Sequence, residues 1–232
     1  MLKTSFKRCA IALAFALGAA TAAHAELITN GFTYAVADAY TGTVGVGTHF
    51  HSNTGGAFGN PDGKAEVGGF FGTEEVRGLS EYNIAGLAVP ATAFVSFNVY
   101  LTDGLFGQGG GSFLINVYAY RGNNLEDLSD FEVATTAFIG AFSTDGLGVG
   151  DIVSFDVEAA LDAALVLGDS SFGIRLQQSD TRNPNGPAYT FDNFRLTTDN
   201  QCTGAGCGIP EPGSLALVAL ALVGAGAVRR RS

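Results

Sequence analysis

The stretch Phe94-Val95-Ser96-Phe97-Asn98-Val99-Tyr100-Leu101 alternates with a period of two. Val95, Phe97, Val99 and Leu101 fall on one side of an extended chain, and Ser96 and Asn98 on the other. That is the pattern of a strand with one face in a core. It recurs in Ser112 to Tyr120, with Phe113, Ile115, Val117 and Ala119 inward, and in Ser171 to Gln178, with Phe172, Ile174 and Leu176 inward. Shorter strands are expected at Phe32 to Ala37, Val44 to Phe50, Val67 to Phe71, Glu75 to Leu79, Ala137 to Phe142, Ile152 to Val157 and Tyr189 to Leu196. Clusters of Gly, Asn and Asp, such as Gly107-Gln108-Gly109-Gly110-Gly111, separate them. Only Val157 to Leu167 reads as a helix, with an apolar stripe of Ala160, Leu161, Ala164, Leu165 and Leu167 and a stop at Gly168. The expectation is an all-β fold: an antiparallel, jelly-roll-like β-sandwich with one short helix capping an open end. The recurring helices of a doubly wound α/β fold are missing.

Composition agrees with a folded β protein. Of 232 residues 33 are Gly, 47% are hydrophobic and only 15% are charged, which excludes a disordered chain or a long helical array. Between Glu26 and Gly208 the basic residues are Lys64, Arg77, Arg121, Arg175, Arg182 and Arg195, against 21 of the 22 Asp and Glu. Such an acidic surface repels phosphate backbones, so nucleic acid is excluded as a partner. Its plain consequence is solubility, and a sharper one is that some carboxylates hold Ca²⁺.

Both ends read as addresses. Lys3, Lys7 and Arg8 precede an apolar run from Cys9 to Ala20, and Ala23-His24-Ala25 satisfies the small-x-small rule of signal peptidase, with cleavage before Glu26. The domain plan is therefore a signal peptide at 1–25, a β-sandwich domain at 26–200, a Cys/Gly linker at 201–208 and a terminal segment at 209–232. In the linker Cys202 and Cys207 enclose Thr-Gly-Ala-Gly. An oxidising compartment and two glycines permit a local disulfide there, with free thiols or a metal pair as the alternatives. No further His or Cys lies nearby in sequence to complete a metal site.

The terminal segment carries Pro210-Glu211-Pro212. A run from Leu215 to Val228 of Leu, Ala, Val and Gly alone follows, and then Arg229-Arg230-Arg231. A helix over 213–228 would be about 24 Å long, just short of the roughly 30 Å hydrocarbon core. The arginines would stay cytoplasmic, leaving the folded part outside. This order resembles the bacterial PEP-CTERM sorting signal. The resemblance implies that Pro210, Glu211 and Pro212 are recognised by a membrane-embedded exosortase. It also implies that 213–228 is a transient inner-membrane helix with the domain on the periplasmic side, that Arg229 to Arg231 are its stop, and that processing delivers the protein to the outer surface or the extracellular space. For that family it further implies an association with extracellular polysaccharide.

From Ala93 through Thr197 the order of strands and helix resembles secreted β-sandwiches allied to carbohydrate-binding modules, although the chain has no Trp. Sugar C–H faces stack on rings while hydroxyls take fixed hydrogen bonds, which makes Tyr118, Tyr120, Arg121, Arg175 and Tyr189 the candidate glycan patch. Glu126, Asp127, Asp130 and Asp192 are the candidate Ca²⁺ ligands, without the spacing of an EF-hand. His49 and His51 fall on one face of an extended segment and would permit a pair of metal ligands. With no identifiable third ligand they read as surface histidines. There is no Gly-x-Ser-x-Gly elbow and no phosphate-cradling Gly-x-x-x-x-Gly-Lys loop. The functional expectation is an exported surface or matrix protein, non-enzymatic, associated with exopolysaccharide and biofilm, with glycan binding as its candidate activity. The alternatives are a secreted polysaccharide-processing enzyme using Asp/Glu pairs and a structural adhesin with no small ligand.

Overall fold

The structure is a computed structural model describing residues 27–39, 42–70, 72–180 and 186–197. Its strands are β1 (Leu27–Asn30), β2 (Phe32–Ala37), β3 (His49–Ser52), β4 (Ala65–Phe70), β5 (Glu74–Asn83), β6 (Phe94–Leu101), β7 (Leu114–Arg121), β8 (Thr135–Ser143), β9 (Ile152–Asp156), β10 (Ser171–Gln178) and β11 (Ala188–Thr197). A 3-10 turn at Leu128–Phe131 and a helix α1 at Glu158–Leu167 complete the elements. The signal peptide, Cys202 and Cys207, the sorting segment and its expected membrane helix lie outside the described residues. Among the described residues no helix is long and apolar enough to cross a membrane.

The fold is all-β and every pairing is antiparallel, as the alternation implies. One continuous sheet runs β8-β7-β10-β5-β4-β11-β6-β9, with the β2–β3 hairpin attached to β5 and β1 to β11. The ends of this path nearly meet. A Cβ placed on Gly140 of β8 would lie 2.9 Å from the ring of Phe155 on β9. The two layers expected of a sandwich are thus one sheet rolled around its core. At its centre Phe97 stacks on Phe194 with ring centroids 4.6 Å apart and meets the edges of Phe191 and, at a tilt, Phe142. Offset and edge contacts of this kind add to the area that the rings bury.

Strands β2, β6 and β10 begin and end where the period of two places them. The third strand does not: it runs from His49 to Ser52, because Gly45 has φ +84 and belongs to the preceding loop. A second difference concerns the face expected to be wet. All eight residues of β10 are buried, and Ser96 is buried on β6. The Ser96 Oγ accepts a hydrogen bond from Arg195 Nε, whereas for β10 the reason is a second apolar cluster on the outer face, formed by Tyr34, Val36, Leu79, Tyr120 and Phe131 with Phe50, Leu128 and Val133 packed on it. The loop carrying the 3-10 turn therefore covers the sheet there. Gly173 is required beneath it, since a Cβ at that position would lie 2.3 Å from the Tyr120 ring.

Helix α1 buries Leu161 and lays Ala160, Ala164 and Leu165 against the core. It stops at Gly168 (φ 75), whose N–H donates to Leu165 O, while the Asp169 N–H donates to Ala164 O. Leu167, expected in the stripe, instead faces solvent. Truncating Phe97 to Ala should cost about 3–5 kcal/mol of stability, whereas Leu167→Ala should change it by less than about 0.5 kcal/mol. Urea unfolding of the two variants checks this, and equal losses would mean that the core is centred elsewhere.

Candidate functional site

The period of two in β3 sends Phe50 into the outer apolar cluster and both histidines to the opposite face. In β4 it sends Val67 to the main core and Glu66 with Phe70 the other way. The tight return after β4, in which the Thr73 N–H donates to Phe70 O, brings Glu74 back beside them. His51, Glu66 and Glu74 are all buried, and the His49 side chain is 29% exposed. The His51 Nδ1 lies 2.9 Å from Glu66 Oε2, and its Nε2 lies 3.2 Å from Glu74 Oε2. The His49 Nδ1 is 3.0 Å from Thr48 Oγ1, and its Nε2 is 3.7 Å from the same Glu74 Oε2. The Leu105 N–H occupies the other oxygen of Glu66. Glu74 Oε1 is buried with no hydrogen-bond partner among the described residues.

Aromatic rings wall this cluster. Phe106 meets His51 at 4.6 Å and Phe70 meets it at 5.2 Å, while the exposed Phe58 stands edge-on to His49 at 6.1 Å. Burial lowers the pKa of His51, but hydrogen bonds and charge from Glu66 and Glu74 outweigh it and raise the group to about 8. For His49 burial prevails and the pKa is lowered, against the opposing pull of Glu74. The sequence reading of surface histidines is therefore corrected: His51 is internal. The third donor, Glu74, is 23 residues from His51 in sequence, so no local motif marks it.

A second polar centre lies on the other side of β5. Glu81 is fully buried. Its Oε2 accepts hydrogen bonds from Ser171 Oγ and the N–H groups of Asn123 and Asn124, and its Oε1 accepts one from the Tyr120 hydroxyl. The Tyr34 hydroxyl donates to Asp130 Oδ2 at 2.7 Å. Burial drives the pKa of both tyrosines far upward. Each donor here is answered by an acceptor, and the centre is tied into the sheet rather than open to a ligand.

The structure separates the residues expected to bind glycan. Tyr120 is buried in the outer cluster, Arg175 is buried with its guanidinium on Phe131 O and Val133 O, and Tyr189 is buried with its hydroxyl directed at Thr144 O. These three form no surface patch, because the 3-10 loop and the β8–β9 connection cover them. Tyr118 is half-buried, and Arg121 is exposed and paired with Asp169 at 2.7 Å. The expected Ca²⁺ ligands also have other engagements. Glu126 accepts from Thr54 N–H and Oγ1, and Asp127 and Asp130 form the reciprocal cap of the 3-10 turn. Asp192 pairs with Lys64 at 3.0 Å. Among the described residues the His, Cys and carboxylate donors that converge within 4.8 Å are His49, His51 and Glu74.

Residues 208–231 match the family model described as the PEP-CTERM protein-sorting motif. The match covers the segment in which Pro210, Glu211, Pro212 and the arginine cluster were read, and it supports sorting by an exosortase toward the cell surface. No curated protein matches the chain.

Asp130 yields a pH test. Burial raises its pKa from 3.8 to about 6, the nearby charges of Glu81 and Asp127 add to this, and the Tyr34 hydroxyl opposes it. A carboxyl whose folded pKa lies above its unfolded value contributes stability below the unfolded pKa and loses it as pH rises through the folded one. The melting temperature of Asp130→Asn relative to the parent should therefore climb between pH 4 and pH 7. Parallel melting profiles across that window would show that Asp130 titrates normally.

Proposed function

We propose that this chain is an exported surface protein whose acidic β domain works outside the cell as a non-enzymatic, polysaccharide-associated matrix module. The observation that carries the reading is the sorting motif at 208–231. Signal peptidase removes residues 1–25 after Ala23-His24-Ala25. The apolar segment 213–228 then holds the chain in the inner membrane, with Arg229 to Arg231 on the cytoplasmic side. Exosortase recognises Pro210-Glu211-Pro212 and releases the domain toward the outer surface.

Support for polysaccharide as the partner comes from the outer face of β7 and β8. Phe138 is 61% exposed, and its ring lies 5.4 Å from that of Tyr118. The Tyr118 hydroxyl accepts from Asn116 Nδ2 at 3.2 Å. Two rings beside an amide present the stacking surface and polar edge that sugar rings use. The non-enzymatic reading is supported by the engagement of the buried carboxylates Glu66, Glu81 and Asp130 with protein donors.

Replacing Pro210, Glu211 and Pro212 together by Ala should leave the protein unprocessed in the inner membrane, as read by fractionation and immunoblot. Normal release would overturn the sorting reading. In a pull-down on the producing cell's own extracellular polysaccharide the mature protein should be retained. Phe138→Ala should weaken retention roughly 2–10-fold, as loss of one ring contact implies. Clean flow-through of the parent would remove the glycan and leave a structural adhesin.

A further inference from the structure

Both imidazoles of β3 are already arranged as ligands are arranged. In a metal-bound histidine one ring nitrogen faces the ion while the other donates its N–H to an outer acceptor that fixes tautomer and orientation. Here Glu66 Oε2 stands at the Nδ1 of His51 and Thr48 Oγ1 at the Nδ1 of His49. That leaves both Nε2 atoms directed at a single oxygen of Glu74, at 3.2 and 3.7 Å. These separations fit a tetrahedral ion, because bonds of 2.0–2.1 Å place neighbouring donors about 3.3–3.4 Å apart.

Independent of this convergence is the state of Glu74. Its carboxylate is 1% exposed, and its Oε1 has no hydrogen-bond partner among the described residues. A buried carboxylate oxygen without a donor is costly, and coordination to a cation is one of the few ways to satisfy it. Charge points the same way. With Glu75 paired to Arg77, the carboxylates in contact with His51 are Glu66 and Glu74. A protonated His51 offsets one of these formal charges, and a dication offsets two.

We propose that His49, His51 and Glu74 bind one first-row divalent transition metal, Zn²⁺ being the best match, with Glu66 as the positioning residue for His51. Two imidazoles and a carboxylate suit Zn²⁺, whereas Ca²⁺ requires six to eight oxygens. His49 is the partly exposed member of the set, and the ring of Phe58 stands edge-on to it. Gly104 keeps the outer shell closed, since a Cβ there would lie 2.6 Å from Glu66 Oε1. The inference does not depend on the sorting or polysaccharide readings.

The test is titration of the chelator-stripped mature protein with Zn²⁺, followed by calorimetry, and with Co²⁺, followed by its visible spectrum. One equivalent should bind, Co²⁺ should show the intense band of a four-coordinate ion, and excess Ca²⁺ should displace neither. His49→Ala, at the exposed edge, should weaken binding more than about 100-fold, and Glu66→Gln by about 10–100-fold. X-ray absorption of the parent zinc protein should show two imidazoles and oxygen ligands, a readout that needs no variant to fold. Absence of stoichiometric binding, binding unchanged in a folded His49→Ala, or a zinc shell with fewer than two imidazoles would each overturn the proposal.

Discussion

Strand β5 is paired along both edges and covered on both faces, and the rest of the domain is arranged around that constraint. It meets β2 along residues 76–81, β10 along 78–83 and β4 along 74–76. A strand in that position would ordinarily be apolar throughout. This one carries Glu74, Glu75 and Glu81, all buried. Each carboxylate must find donors inside the protein, and each recruits a different piece of the fold. Glu81 gathers the turn at 122–124 and the hydroxyls of Tyr120 and Ser171. Glu75 orients Arg77, which reaches Phe131 O and lies over the Phe131 ring, so the 3-10 loop is clamped onto the outer face. Glu74 faces the two histidines.

That arrangement gives the chain's acidity a second meaning. Composition alone reads the 21 acidic residues between Glu26 and Gly208 as solvated charge. Among the described residues seven of them are buried: Asp38, Glu66, Glu74, Glu75, Glu81, Asp130 and Asp169. Buried carboxylates held by several hydrogen bonds fix geometry more than they add stability, because desolvation cancels much of the attraction.

What was legible in the sequence was one face of most strands, β1 not being among those expected. The apolar alternation placed β2, β6 and β10 to the residue, since burial against the main core is a local pattern with period two. The outer layer was not legible. Its covering residues, Leu128, Phe131 and Val133, sit in an acidic loop with no periodicity, and the residues beneath them, such as Tyr120 and Arg175, have the composition of a solvent face. The same blindness hid the histidine site. A His-x-His pair marks its own spacing, but Glu66 and Glu74 come from two further strands, and their proximity follows from the sheet order and the return at Thr73. The expected glycan patch was dispersed for the converse reason: Tyr120 and Arg175, which alternation put on the wet face, are covered by a loop whose position only tertiary packing decides.

The seven buried carboxylates can be compared by what meets them. Asp38 takes the N–H groups of Gly45 and Glu75, Glu66 takes His51 and Leu105, Glu75 takes Arg77, Asp130 takes Tyr34 and the Asp127 N–H, and Asp169 takes Arg121. Glu81 is met at both oxygens. Glu74 differs, with one oxygen buried and in neither a hydrogen bond nor an ion pair among the described residues, and the other faced by two ring nitrogens. If both imidazoles were neutral with their Nδ1 atoms protonated toward Glu66 and Thr48, those ring nitrogens would present lone pairs to a carboxylate, a repulsive contact in a low-dielectric site. Protons on Nε2, whether of a neutral tautomer or of a charged His51, relieve it at Oε2 and leave Oε1 bare, whereas a cation shared by all three donors that also draws in Oε1 relieves both. The geometry of β3 and β5 is therefore more completely explained with an ion between them than by hydrogen bonding alone.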